Sequence, residues 1–144
     1  MRLLLDTNVV AELRRPNGSE RVKTAIRTFD DEALFLSVMV LGEIRQGLDQ
    51  LPESSRQKSA LAARLGRLRD QFADRVIPID AEIAEAWGAM NARLRRTGRS
   101  VAAVDGLLAA TALVRGLAVT TRNVRHFEPT GVAVFDPWND PPPA

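Results

Sequence analysis

The chain begins MRLLLDTNVV (residues 1–10), in which an apolar run ends in a carboxylate followed by two small polar residues. Residues 2–5 are typical of a buried strand, and the residues after Asp6 have the pattern of a short helix. Where strands and helices alternate, the strands form a parallel sheet, and ligands bind beyond its carboxyl edge. Asp6 is therefore expected at the edge where such sites form, although N-capping of the following helix would also explain an aspartate there.

The same alternation continues along the whole chain. Further strands are predicted at 33–36, 76–79, 117–121 and 132–135, and helices at 8–14, 19–29, 38–51, 54–72, 81–96 and 102–115. This order predicts an α/β fold with a central parallel sheet of about five strands, flanked by helices on both faces. We expect a single domain over residues 1–136 and an irregular C-terminal tail over 137–144, which contains three consecutive prolines.

Composition limits the classes of site that the chain can build. A chain of 144 residues fits one domain with one core. With no cysteine and one histidine, His126, neither a thiolate site nor a His-rich zinc site is possible, so any metal must be held mainly by oxygen. No apolar stretch approaches the roughly 20 residues of a membrane span, and we expect a cytoplasmic protein. All but two of the 20 basic residues are arginines, which a genome-wide bias explains as well as phosphate binding does.

Two further acids lie in apolar surroundings. Glu43 lies in VMVLGEIRQGL, and its neighbours one helical turn away are Met39 and Gly47, so its helix face is not a solvated charged face. Asp105 is the only charge in AVDGLLAATALV, which is typical of a buried helix. Taken singly, Glu43 could pair with an arginine, and Asp105 could be favoured by the helix dipole. Three such carboxylates together favour a hard cation with oxygen ligands, Mg²⁺ or Mn²⁺.

Four segments carry a resemblance to a known family: LLLDTNVVAELRRP, SVMVLGEIRQGL, AVDGLLAATALVRGLAVTTRNVRHF and FDPW. In this order and spacing they resemble the motifs of PIN-domain ribonucleases, specifically VapC-type toxins of bacterial toxin–antitoxin pairs. By matching position, Asp6, Glu43 and Asp105 are similar to the family's acidic metal ligands, and Asn123 falls at its fourth site. Many relatives have aspartate there, and His126 also stands where an acid is common. The choice between one and two metals stays open.

The resemblance implies a Mg²⁺-dependent endoribonuclease whose water is activated by the metal, with Mn²⁺ as a substitute. It also implies a homodimer, an RNA substrate and a cognate VapB-type antitoxin. The protein would contact DNA only indirectly, through the antitoxin. Asp6, Glu43, Asp105 and Asn123 would be catalytic. The hydroxyl and amide groups expected to orient water or ligands belong to Thr7, Asn8 and Thr121, and the arginines that could meet RNA phosphates are Arg14, Arg15, Arg122 and Arg125.

Each of these assignments has a simpler alternative. Capping and ordinary strand or helix positions would explain Thr7, Asn8 and Thr121, and the arginines could be plain surface residues. A haloacid dehalogenase-type phosphatase would require an aspartate where Asn8 stands, and no serine hydrolase elbow or glycine-rich phosphate loop is present. The remaining alternative is a catalytically degenerate PIN-like module that binds RNA or a protein partner without cleavage.

Overall fold

A computed structural model of the chain describes residues 1–141; the end of the predicted tail, residues 142–144, lies outside this range. Residues 1–141 form five strands and seven α-helices. In chain order these are β1 (Leu3–Leu5), α1 (Thr7–Arg14), α2 (Glu20–Arg27), β2 (Leu34–Ser37), α3 (Val38–Asp49), α4 (Gln57–Gln71), β3 (Val76–Ile77), α5 (Ala81–Arg96), α6 (Ala103–Arg115), β4 (Ala118–Thr120), α7 (Val124–Phe127) and β5 (Val134–Phe135).

The five strands form one sheet in the order β3-β2-β1-β4-β5, and every neighbouring pair is parallel. The first strand lies at the centre, where Leu3 is in register with Leu34 on one side and Ala118 on the other. All three residues of β1 are fully buried, as an apolar run without alternation requires in a sheet covered on both faces. The predicted α/β fold with a five-stranded parallel sheet is confirmed.

Helix ends follow from local side chains. The side chains of Ser19, Ser37 and Asp80 each accept a hydrogen bond from a backbone N–H in the first turn of the helix that follows, which satisfies a donor that the helix itself leaves unpaired. Gly116 ends α6 with φ 69°, a left-handed conformation that glycine adopts without a steric penalty. These caps fix where each helix meets the sheet, and therefore which residues reach its carboxyl edge.

Several local features add to or differ from the sequence-based prediction. The third strand ends at Ile77, two residues earlier than predicted, because Pro78 follows and has no backbone N–H to donate. A short helix, α7, and two 3₁₀ turns, Asp31–Ala33 and Glu128–Thr130, were not predicted. In the tail, residues 137–141 contain no helix or strand, yet Trp138 packs against the buried core.

The hydrophobic core extends from the sheet into the helices around it. The large, fully buried apolar side chains come from β1, β2 and β4 and from α1, α2, α3, α5, α6 and α7: Leu3, Leu4, Leu5, Val9, Val22, Leu36, Val40, Ile83, Leu108, Val119 and Phe127. Within residues 1–141, no helix is long and apolar enough to cross a membrane.

Candidate active site at the carboxyl edge of the sheet

Asp6 follows β1 directly and is the most deeply buried of the three predicted site acids, with 6% of its surface exposed. Its Oδ1 accepts the backbone N–H of Thr7 at 2.8 Å, which caps α1. Its Oδ2 accepts the hydroxyl of Thr121 at 2.8 Å and the side-chain amide of Asn8 at 3.4 Å. The Asp6 carboxylate therefore caps α1 with one oxygen and takes part in the polar site with the other.

Thr121, which follows β4, connects the neighbouring loops to Asp6. Its hydroxyl is fully buried, donates to Asp6, and accepts hydrogen bonds from Asn8 Nδ2 at 3.2 Å and from the backbone N–H of Asn123 at 3.0 Å. Asn8 Oδ1 in turn accepts the backbone N–H of Arg122 at 3.2 Å. The ends of the adjacent strands β1 and β4 are thus held together by side chains that all converge on one carboxylate.

Glu43 reaches the same place from α3, the helix that follows β2. The hydroxyl of Thr7 donates to Glu43 Oε1 at 2.7 Å, so a residue next to Asp6 fixes the second acid. Burial raises the pKa of Glu43; the hydrogen bond from Thr7 opposes this shift, while the charges of Asp6 and Asp105 add to it. The charges of both other acids therefore act on Glu43, which groups the three carboxylates electrostatically.

Asp105 lies in the first turn of α6, whose far end leads through Gly116 into β4. Its side chain is 21% exposed, and its Oδ2 is 3.4 Å from Nδ1 of His126 on α7. Burial raises the pKa of Asp105, the charge of Asp6 raises it further, and contact with His126 lowers it. His126, to which the sequence assigned no role, therefore contacts one of the three acids.

The negative charges and oxygen atoms of the three acids suit a hard divalent cation. The charge of Asp6 helps to raise the pKa of both Glu43 and Asp105, so a positive charge would stabilise the ionised cluster, and oxygen is the ligand that Mg²⁺ and Mn²⁺ prefer. Glu43 Oε2 and Asp105 Oδ1 accept no hydrogen bond from residues 1–141. Over the same residues, no three Asp, Glu or His side chains already form a group that could hold a metal ion. The residue types fit a hard cation, and the side chains would have to close around it.

The fourth predicted position, Asn123, does not join the acids through its side chain. Its backbone N–H is held by Thr121, but the residue is exposed and its amide forms no hydrogen bond with the part of the chain that the structure describes. The next residue begins α7, which carries His126 to Asp105. The assignment of Asn123 as a catalytic residue stays a prediction.

The four predicted RNA-contacting arginines lie in two places. Arg14 bonds to the side chain of Gln71, and burial together with the charge of Arg67 lowers the pKa of Arg14. Arg15 forms an ion pair with Glu12. With Thr7, these two arginines line a cavity of about 280 Å³ between α1, α3 and α4.

The other two arginines, Arg122 and Arg125, are exposed on the segment that follows β4, beside the acids. The guanidinium carbon of Arg122 lies 5.1 Å from the ring centroid of Trp138.

Two buried acids were not recognised as such from the sequence. Glu12, 7% exposed, accepts the backbone N–H of Ser19 at 2.9 Å and pairs with Arg15, so it joins α1 to α2. Asp136, 6% exposed, holds the turn after β5 by accepting the backbone N–H of Trp138 at 2.9 Å. The spacing of Glu12 and Arg15 on one helix face was the available signal for the first. Both acids have structural partners, which distinguishes them from the site cluster.

The chain matches known proteins both in sequence and in fold. The model of the PIN domain matches residues 3–131. The chain is similar to "Toxin FitB" of Neisseria gonorrhoeae, with 36% identity over 139 residues, 96% of this chain and 99% of the relative. It is also 31% identical to "VapC ribonuclease Y4jK" of Sinorhizobium fredii over 136 residues, 94% of this chain and 97% of the relative.

Solved structures agree with the sequence relatives. FitAcB from Neisseria gonorrhoeae contains a chain that superposes with a TM-score of 0.87 at 36% identity, covering 95% of this chain and 99% of that one. The structure of DNA-bound VapBC from Salmonella typhimurium gives a TM-score of 0.77 at 26% identity, covering 95% of this chain and 98% of that one. The likeness therefore extends over the whole fold and is not confined to the motifs.

Proposed function

Because the chain belongs to the PIN domain family, we propose that it is the toxin of a VapC-type toxin–antitoxin pair, an endoribonuclease that hydrolyses RNA phosphodiester bonds. A relative named as a toxin and another named as a VapC ribonuclease each align with more than nine tenths of the chain. The observation that carries the proposal is the set of three acids at one edge of the sheet, each with an oxygen fixed by a hydroxyl or imidazole group.

We assign the metal ligands to Asp6, Glu43 and Asp105, and the cation to Mg²⁺, for which Mn²⁺ would substitute. Bound at such a site, a divalent cation neutralises charge on the transferring phosphoryl group and lowers the pKa of water. The raised pKa of Glu43 and of Asp105 supports this assignment, since a cation would offset the repulsion that contributes to both shifts.

The chain's own groups prepare the acids for this chemistry. Thr121 and Asn8 fix the orientation of Asp6, and Thr7 fixes Glu43 by its Oε1. Glu43 Oε2 is left to orient the attacking water and to take its proton. Because burial raises the pKa of Glu43, its carboxylate is a stronger base than an exposed glutamate at neutral pH.

Asn123 is assigned a supporting catalytic role. Its backbone N–H donates to the Thr121 hydroxyl at 3.0 Å at the start of α7, and the residue is exposed. A neutral amide at this position brings no charge of its own, so the site requires only one tightly held cation. The amide would hold water or a phosphate oxygen by hydrogen bonding.

RNA would approach over the exposed arginines on the same edge. Arg122 and Arg125 flank Asn123 and are free of ion pairs within residues 1–141. Arg14 and Arg15, which already contact Gln71 and Glu12, would reach RNA phosphates only by exchanging those partners. We therefore expect the first pair to contribute more to RNA binding.

A cognate VapB-type antitoxin is the expected regulator. The negative charges of Asp6, Glu43 and Asp105 would attract a cationic group at the end of a long side chain. An arginine guanidinium can donate hydrogen bonds to two carboxylates at once. We propose that the antitoxin places an arginine there, and that DNA is contacted only through the antitoxin. The similarity to chains of FitAcB and of DNA-bound VapBC supports such an assembly.

Two observations favour the alternative of a degenerate PIN-like module that binds without cleaving. The exposed Asn123 side chain does not reach the three acids, and the acids themselves are not gathered into a formed metal site within residues 1–141. Such a module would retain RNA or a protein partner and release no fragments when Mg²⁺ is added.

The experiment compares RNA cleavage by the purified chain with Mg²⁺ and with EDTA. Cleavage that EDTA abolishes supports the ribonuclease, and binding without cleavage under both conditions supports the module. Asp6→Asn, Glu43→Gln and Asp105→Asn should each lower the rate more than the roughly 10- to 100-fold loss typical of groups that only orient a metal ligand. Glu85→Gln, an exposed acid on α5, should cleave as the wild type does. A wild-type rate in any of the three would refute that residue's role.

A further inference from the structure

Arg122 is held in place by the same contacts that hold the catalytic acids. The residue before it, Thr121, donates its hydroxyl to Asp6 at 2.8 Å, and the backbone N–H of Arg122 donates to Asn8 Oδ1 at 3.2 Å. Asn8 in turn bonds to Asp6. The backbone of Arg122 is therefore fixed relative to the reacting centre, although its side chain is exposed.

The Arg122 guanidinium lies over an indole ring that is itself fixed. Its carbon is 5.1 Å from the Trp138 ring centroid, within the range of a cation–π contact. Trp138 is half-buried and packs against the core, and its backbone N–H is held by the buried Asp136. Asp136 also accepts the Asn139 amide at 2.8 Å, and its own N–H donates to Asp140 Oδ2 at 2.8 Å. The aromatic support of Arg122 thus belongs to a rigid turn after β5.

This arrangement distinguishes Arg122 from the other arginines near the site. The guanidinium of Arg14 bonds to Gln71 and that of Arg15 to Glu12, whereas no carboxylate within residues 1–141 pairs with that of Arg122. The guanidinium carbon of Arg122 lies over the indole ring, and the residue is exposed. A planar cation with a rigid aromatic backing is suited to stacking, whereas an arginine that only binds phosphate needs no such support.

We infer that Arg122, supported by Trp138, is a stacking plane for the base of a nucleotide next to the scissile phosphate. Single-stranded RNA is read by stacking of unpaired bases on aromatic side chains and on arginine planes. Because the plane is joined to Asp6 through Asn8, a base stacked on it sets where the strand lies relative to the acids. Arg122 is then a determinant of cleavage-site preference, and Trp138 is a positioning residue that acts through it. This inference rests on the proposed ribonuclease function.

The competing explanation is structural, namely that the Arg122–Trp138 contact only holds the C-terminal turn in place. It predicts that weakening the contact lowers the melting temperature and leaves substrate selection unchanged. The stacking plane predicts a change in KM that depends on the presence of the flanking base.

The test uses the full chain and a short single-stranded RNA that contains a mapped cleavage position. A matched RNA carries an abasic ribose at the flanking nucleotide. Arg122→Lys keeps the charge and loses the planar group, Trp138→Phe keeps an aromatic ring, and Arg96→Lys, at an exposed arginine on α5, is the control. Base stacking is worth about 1–3 kcal/mol, so Arg122→Lys should raise KM on the intact RNA by at least about fivefold.

On the abasic RNA, Arg122→Lys and the wild type should have the same KM, and Arg96→Lys should match the wild type on both substrates. Trp138→Phe should raise KM on the intact RNA by less than Arg122→Lys does. An unchanged KM and base preference in Arg122→Lys would overturn the inference while leaving the ribonuclease intact. An equal rise in KM on both RNAs would also overturn it, because the lost contact would then be to phosphate or to the fold.

A binding measurement in EDTA separates this inference from the proposed function. Addition of the intact RNA should quench the tryptophan fluorescence of the wild type more than that of Trp138→Phe, in which Trp87 remains. If the wild type never cleaves RNA, the proposed function fails, and this difference in quenching alone decides the stacking plane. Equal quenching in the two proteins would reject it.

Discussion

At each of the three site acids, one carboxylate oxygen is held by a residue from a distant part of the chain. Thr121 lies 115 positions from Asp6, and Thr7 lies 36 positions from Glu43. His126 approaches Asp105 from α7. Each contact holds its acid in one rotamer in the cation-free chain, so binding of a cation would cost less side-chain entropy. The hydroxyls of Thr7 and Thr121 therefore do more than cap a helix or fill a strand position.

The raised pKa of Asp105 and of Glu43 predicts how the stability of the metal-free chain depends on pH. Between the ordinary carboxyl pKa of the unfolded chain and the raised pKa of the folded chain, the folded state binds more protons. The free energy of unfolding therefore falls as pH rises through this window. Urea unfolding in EDTA, from about pH 4 to about pH 7, should show a smaller fall for Asp105→Asn than for the wild type.

Glu85→Gln is the control for this series, since Glu85 is exposed and lies away from the cluster. Its stability should follow the wild-type curve at every pH. If the free energy of unfolding falls equally with pH in the wild type and in Asp105→Asn, the ionised Asp105 carboxylate does not destabilise the folded chain.

At the level of elements, periodicity and caps were enough to predict the sheet and its main helices, because apolar runs and capping residues are local signals. The expectation that Asp6 lies at the carboxyl edge also followed from element order, and the structure places it there. The helix α7 was missed because four residues are too few to show a helical period. The partners of Thr7 and Thr121 were not predictable either, since each hydroxyl contacts a residue far along the chain.

The turn between α1 and α2 provides a prediction about packing. A Cβ added to Gly18 would lie 2.3 Å from the carbonyl oxygen of Glu12, which is backbone and has no freedom to rotate away. Gly18→Ala should therefore lower the free energy of unfolding by about 1–3 kcal/mol, measured by urea denaturation. Gly88→Ala is the matched control, because a Cβ at that position in α5 meets nothing within 4 Å.

The control should be stabilised by about 0.5–1 kcal/mol, since alanine favours a helix interior over glycine. If Gly18→Ala is as stable as the wild type, the turn relaxes at little cost and the close approach to α1 is not required.

For the molecule as a whole, the resemblance implies a homodimer, and α3 offers a surface for it. Gly42 and Gly47 are exposed there, and an added Cβ at either position meets nothing in this chain. Trp87, by contrast, lies against Gly106 and so contributes to internal packing. Light scattering at micromolar concentration should report twice 15.8 kDa. Gly47→Gln should shift the particle toward the monomer, and Gly88→Gln should not.

A particle of 15.8 kDa for the wild type would count against the dimer, whatever the variants do. A dimer that persists in Gly47→Gln would instead move the contact surface away from this part of α3.

The central position of β1 has a consequence for how the protein is made. β1 is the first strand to leave the ribosome, but one of its two neighbours, β4, begins only at Ala118. Until that segment is synthesised, one side of β1 has no partner and Asp6 lacks the hydroxyl of Thr121. A chain that terminates before Thr121 therefore lacks the contact that holds Asp6, and the proposed catalytic centre is completed only when synthesis is nearly finished.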